Sequence, residues 1–181
     1  MSILNLWNFL CQWNEISVVF RILLSAFLAG IIGTERRFHG RAAGMRTYIL
    51  VGVGATMTVM TGLYMVEVLG YTWIDPQRIA AQVISGIGFL GAGMILVRGR
   101  FEVVGLTTAA GLWATASMGI CIGAGFYVAA IAGFAVILFA SVGLNAYERK
   151  LANNRAEKYY LYAEIDGLEH LQYIIDEVEA R

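Results

Sequence analysis

Charge is what this chain has least of. Only 14% of its 181 residues are Asp, Glu, Lys or Arg, where a soluble domain carries roughly 25%. With 59% hydrophobic residues, a mean hydropathy of +0.67 and long charge-free runs, the deficit excludes an ordinary soluble domain and gives a membrane composition. Formal net charge is zero, so bulk charge names no partner, and none is expected among nucleic acids. The two cysteines, Cys11 and Cys121, stand far apart in apolar stretches. That excludes a disulfide framework and a zinc-type cluster, and leaves two small packing residues. No Walker sequence is present, and no aspartate lies in a phosphorylatable ATPase setting. His39 and His170 fall in a loop and a tail, without a nucleophile beside them. An enzyme is therefore not expected.

Five apolar segments are present: Val18–Gly33, Thr47–Val66, Ile79–Val97, Leu106–Ile122 and Phe126–Leu144. Each approaches the ~20 residues that cross a ~30 Å hydrocarbon core, the first and fourth being shortest. The expected fold is all-α: a five-transmembrane-helix bundle over residues 18–146. Residues 1–17 lack a basic n-region and a small-residue cleavage site, so a cleaved signal is not expected. Ile3, Leu4, Trp7, Leu10 and Cys11 recur at helical spacing, which reads as a short interfacial helix anchored by Trp7 and Trp13. Gly123-Ala124-Gly125 reads as the tight turn between the last two spans.

Basic residues set the orientation. Arg36, Arg37, Arg41 and Arg46 lie between the first two segments, Arg98 and Arg100 between the third and fourth, and Arg149, Lys150, Arg155 and Lys158 after the fifth. Only Arg21 and Arg78 lie on the other side. Lys and Arg accumulate in cytoplasmic loops, so the N-terminus is expected outside and the C-terminus inside. After the last span, Tyr159 to Ile165 alternates like a strand. Leu168, Leu171, Ile175 and Val178 then follow at helical spacing. This short cytosolic β-α tail, residues 147–181, is too small to bury a core alone.

Small residues recur every fourth position: Ser25, Ala29 and Gly33; Gly54, Thr58 and Gly62; Gly111, Thr115, Gly119 and Gly123. Such rows let helix backbones approach closely in lipid, so a tight bundle is expected, with a row left over for a homodimer. Gly86, Gly88 and Gly91 spell a GxGxxG, but in mid-span, without the strand and acidic residue that dinucleotide binding requires. Together with Gly93 they read as a packing or dimer face, as do Gly111, Thr115 and Gly119.

Polar residues at the span edges form the candidate site: Glu35, Arg36 and Arg46 at the inner face, Asp75, Arg78, Gln82 and Ser85 from the outer face inward, and Thr107 and Thr108 opening the fourth span. A charge in the bilayer is costly and usually faces a partner. The competing reading is plainer: topology-setting arginines, a helix-capping Asp75 before Pro76, and threonines bonded to backbone. Mg2+ takes oxygen ligands and keeps several waters. With no carboxylate in mid-membrane, Asp75 and Glu35 are the weak metal candidates, for hydrated Mg2+ at either face, and no other cofactor is expected.

These residues also carry a family resemblance. Gly33-Thr34-Glu35-Arg36-Arg37, Ala43-Gly44-Met45-Arg46-Thr47, the run from Asp75 through Gly93, and Gly105-Leu106-Thr107-Thr108-Ala109-Ala110 resemble the MgtC/SapB family of bacterial inner-membrane proteins across most of residues 18–146. The resemblance implies a non-enzymatic inner-membrane protein linked to growth in low magnesium and to survival in host cells, with the F-type ATP synthase as a candidate partner. It also implies an ACT-like domain, of which residues 159–181 would be the first strand and helix. One position departs: Val104 stands where the family usually has arginine, so a contact at the inner face is missing or Arg98 or Arg100 supplies it. Two functions follow as expectations. One is a regulator acting through helix contacts with other membrane proteins. The other is a transporter or channel for magnesium or another small ion, built on the outer end of the third span.

Overall fold

The computed structural model describes residues 9–98, 102–144 and 147, with backbone alone at Arg98 and Glu102. The start of the N-terminal helix and the β-α tail expected at 159–181 lie outside the described residues. The chain divides into two compact units, Met1–Ala146 and Tyr147–Arg181. The elements below belong to the first.

Among the described residues it includes the helices α1 (Glu15–Phe38), α2 (Met45–Glu67), α3 (Pro76–Met94), α4 (Leu106–Gly123) and α5 (Tyr127–Leu138), the last running into a π-helical turn at Phe139–Gly143. Three of them, α1, α2 and α4, are long and apolar enough to cross a membrane by length and composition. Helix α5 with its π turn is apolar but shorter, and Gln77, Arg78 and Gln82 keep the start of α3 polar.

The first helix is longer than the apolar run Val18–Gly33. Asn14 caps it early, its Oδ1 accepting from the Ser17 amide at 2.7 Å. At the other end Glu35, Arg36 and Arg37 continue the helix past Gly33, and Glu35 and Arg36 pair there. The third helix stops at Met94, short of the expected Val97. Leu96–Arg98 instead pairs antiparallel with Glu102–Val104, in the register Leu96↔Val104. Period-based reading missed this hairpin because a three-residue strand carries too little pattern. Gly105 turns it into α4 at φ 95°, where an added Cβ would lie 1.9 Å from the Met94 carbonyl oxygen, so no other residue fits.

Helices α1 and α4 end alike. Arg41 N–H bonds Arg36 O and Gly40 N–H bonds Arg37 O, with Gly40 at φ 65°. Phe126 N–H bonds Cys121 O and Gly125 N–H bonds Ile122 O, with Gly125 at φ 76°. Both are Schellman stops, which satisfy the last carbonyls and reverse the chain in a few residues. The short connections lay α1 beside α2 and α4 beside α5.

Burial is inverted relative to a soluble bundle. Ile16, Val19, Leu23 and Phe27 form an exposed apolar stripe along α1, while Ser17, Arg21, Ser25 and Arg36 of the same helix are buried. Exposed apolar surface on this scale needs a non-aqueous neighbour, and lipid supplies it. The core proper joins Leu28, Ile32, Tyr48, Ala55, Leu112, Ala116 and Ile122 from α1, α2 and α4.

Helices α2 and α4 meet backbone to backbone. A Cβ on Gly119 would lie 2.5 Å from the Gly52 carbonyl oxygen, and one on Gly123 would lie 2.6 Å from that of Thr56. Overpacking of this kind costs about 1–3 kcal/mol or more. Gly119→Leu should therefore lower the melting temperature in detergent sharply. Gly86→Leu, where a Cβ would meet nothing within 4 Å, should leave it near wild type. Equal melting of the two variants would contradict the placement of these glycines.

Candidate functional site: a closed polar seam and an open glycine face

Polar groups collect at the two ends of the α1–α2–α4 interface. At the end where α1 begins, Arg21 is buried (2% exposed). Its Nη1 donates to Gly123 O at 2.9 Å, its Nε to the Tyr127 hydroxyl at 3.1 Å, and its Nη2 to Cys11 O at 3.1 Å. Tyr127 in turn donates to Leu10 O at 2.8 Å, and the guanidinium carbon stands 4.9 Å from the centre of the Trp13 ring. Trp13 donates to Glu67. One arginine thus ties together the segment before α1, the end of α4 and the start of α5. The sequence reading had treated Arg21 only as an orientation marker. The missed signal was a charge four residues inside an apolar run, which calls for a partner.

At the opposite end, Arg36 is equally buried, its Nε 2.5 Å from Glu35 Oε2. Glu35 Oε1 lies 3.1 Å from His39 Nδ1, an ion pair only when the imidazole is protonated. Here satisfaction is incomplete. Arg36 Nη2 and the Tyr48 hydroxyl are buried without a hydrogen-bond partner among the described residues, as is the Ser25 hydroxyl one turn from Arg21. The Tyr48 hydroxyl fits against Gly111, where a Cβ would lie 2.5 Å from it. Tyr48 also escaped the sequence reading, since an aromatic at the head of an apolar helix reads as an interface residue.

Between the ends runs a row of small and hydroxyl side chains. Ser25 and Ala29 of α1 meet Gly52 of α2. Thr56 Oγ1 donates to Gly119 O at 2.9 Å, and Thr115, fully buried, donates to Gly111 O at 2.8 Å. The rows on α1 and α4 lie at this interface. On α2 the packed face is Gly52, Ala55 and Thr56, whereas Gly54 and Thr58 of the expected row are exposed. Gly62 faces Ile79 instead.

The remaining candidates are dispersed. Asp75 caps α3, its Oδ1 accepting from the Gln77 amide at 2.9 Å. Arg78, Gln82, Ser85, Arg46 and Thr107 are exposed, and Thr108 is buried at the start of α4. Glu35 and Asp75 sit at opposite ends of the bundle, each already engaged. Among the described residues no group of three or more His, Cys, Asp or Glu side chains could hold a metal ion.

Helix α3 turns its small residues outward. Gly86, Gly88 and Gly93 would each meet nothing within 4 Å, and only Gly91 packs, 3.5 Å from Ala109 Cβ. Ala81, Ser85, Gly88 and Ala92 make an exposed row at 4-3-4 spacing, flanked by Phe89 at 82% exposure. Between α3 and α2 lies a shallow groove of about 440 Å³ lined by Gly54, Ala55, Gln82, Gly86 and Leu90 among others.

Apolar helices wrapped around a buried polar seam define a helical membrane protein. The sequence profile of the MgtC family matches residues 22–150. YhiD of Escherichia coli (strain K12), named "Putative magnesium transporter YhiD", is 45% identical over 123 residues, 66% of this chain and 57% of that protein. Protein MgtC of Brucella abortus (strain 2308) is 45% identical over 141 residues, 77% of this chain and 55% of that one. Slr0014 of Synechocystis is 40% identical over 133 residues, 74% and 53% respectively. The chain belongs to the MgtC family. It spans little more than half the length of these relatives, and no solved structure matches it.

The orphaned Tyr48 hydroxyl makes a direct test. A buried polar group without a partner costs about 1–3 kcal/mol. Tyr48→Phe should leave the melting temperature unchanged or raise it. A fall of several degrees would mean that the hydroxyl has a partner in the membrane.

Proposed function

We propose that this protein is a non-enzymatic, magnesium-linked component of the bacterial inner membrane that works by helix contact with other membrane proteins, and that α3 is the helix it offers. The open row of Ala81, Ser85, Gly88 and Ala92 carries this reading. Without a hydrophobic drive between helices in lipid, small residues are what allow close association. Here they are left facing outward. The magnesium link rests on family membership and on the name of the Escherichia coli relative. All five helices act as spans in this reading, with the N-terminus outside and the C-terminus in the cytosol. A second copy of the chain and the F-type ATP synthase are the first partners to test.

Ion transport is the rival. It has in its favour the polar residues along the α1–α2–α4 interface. Against it, the Gly52–Gly119 and Thr56–Gly123 contacts close that interface backbone to backbone, leaving no width for a hydrated ion.

A photo-crosslinking residue at Ala92, in cells, should capture a membrane protein or a second copy, while one at Phe27 on the lipid-facing stripe of α1 should not. With the crosslinker kept at Ala92, leucine at Ala81, Ser85 and Gly88 together should abolish that capture without lowering the melting temperature. Magnesium flux down a gradient into proteoliposomes, with no capture at α3, would replace regulation by transport.

A further inference from the structure

The turn between α1 and α2 places Phe38, Arg37, Arg41 and Arg46 together at one end of the bundle, away from the helix face of the proposed function. The turn is built rather than loose. Arg41 N–H is held by Arg36 O, Ala43 is buried (2% exposed), and a Cβ on Gly44 would touch the Arg37 stem at 3.5 Å. Gly33 approaches Met45 so closely that a Cβ would lie 2.6 Å from its Cα, which fixes Arg46 beside the last turns of α1. Arg37, Arg41 and Arg46 are exposed. The nearby carboxylate, Glu35, is taken by Arg36 and faces His39. Among the described residues no carboxylate lies within 4 Å of any of the three exposed guanidiniums. Phe38, between Arg37 and His39, is 84% exposed.

Three exposed, uncompensated arginines on a held turn, with an exposed aromatic ring in the same segment and at the end of helices that lie in lipid, suit an anionic headgroup. We propose that the α1–α2 turn binds the phosphate-bearing headgroup of an anionic phospholipid. Arg37, Arg41 and Arg46 hold the phosphate and Phe38 enters the acyl boundary. Guanidinium forks bond phosphate oxygens in pairs. Basic residues next to a span are drawn to anionic lipid surfaces, and aromatic rings settle at the headgroup level. Arg36 is not a ligand in this site; with Glu35 it holds the end of α1 that carries Arg37. The site rests on the membrane reading, but not on α3 being a contact helix, so either can fail alone.

Native mass spectrometry of the full chain in mild detergent tests it, with phosphatidylglycerol or phosphatidylcholine of the same acyl chains added. The wild type should retain phosphatidylglycerol about tenfold over phosphatidylcholine. R37Q/R41Q/R46Q should bring the two within about twofold, R37K/R41K/R46K, which keeps the charge but loses the paired bonds, should fall between that variant and the wild type, and R78Q at the other end should change nothing. If the triple glutamine variant melts early, R41Q alone, on the exposed turn, should still lose about two- to threefold. Equal retention of both lipids by the wild type, or an undiminished preference in R37Q/R41Q/R46Q and R41Q, would overturn the site. So would displacement of the lipid by millimolar inorganic phosphate, which would make this a pocket for a free anion.

Discussion

The approach of the Gly119 backbone to the Gly52 carbonyl is the contact on which the bundle depends. In lipid no water is released when two apolar helices meet, so association rests on close van der Waals packing and on polar groups that find partners. Gly52, Gly119 and Gly123 bring α2 and α4 within backbone contact. Thr56 can then reach the Gly119 carbonyl, and α1 can lay Ser25 and Ala29 over Gly52. A side chain at Gly119 would push α2 and α4 apart and with them every element that packs on the pair.

The same contact divides the molecule functionally. The inward face is closed and polar, pinned by Arg21 at one end and holding the buried Arg36, paired with Glu35 of its own helix, at the other. The two arginines differ in kind. Arg21 donates to two backbone carbonyls and a tyrosine hydroxyl and fastens three segments. Arg36 keeps one nitrogen without a partner, and the Tyr48 hydroxyl near it also lacks one. Buried unsatisfied groups store cost in a low-dielectric interior, so the Arg36 end is where the bundle is least settled. The outward face of α3, by contrast, is rich in glycine and uncommitted.

Much of the fold was legible because lipid imposes coarse rules: apolar runs long enough to span, basic connections, and small residues at fourfold spacing. The rows on α1 and α4 lay where the packing is. The row on α2 did not, because Gly52 and Gly54 differ by about half a turn at 100° per residue, and small residues are abundant enough on this helix to draw two plausible stripes. Asp75 proved a helix cap, one of the two readings its position allowed, since the residue before a first-turn proline serves capping equally well. The hairpin after α3 is too short to show a period. Tyr48 and Arg21 stand out only by what they touch, which depends on how α1, α2, α4 and α5 are arranged.

The most direct test of the closed interior is chemical access to it. With Cys11 and Cys121 replaced by serine, single cysteines are introduced at Thr56 and Thr115, and the protein in intact membranes is treated with a membrane-impermeant, water-soluble thiol reagent from each side in turn. A sealed α1–α2–α4 seam requires both positions to stay unmodified, while a control cysteine at Arg41 reacts from one side. Modification of either buried position at a rate near that of the control would show water in the seam, and the division into a closed interior and an outward contact face would be wrong.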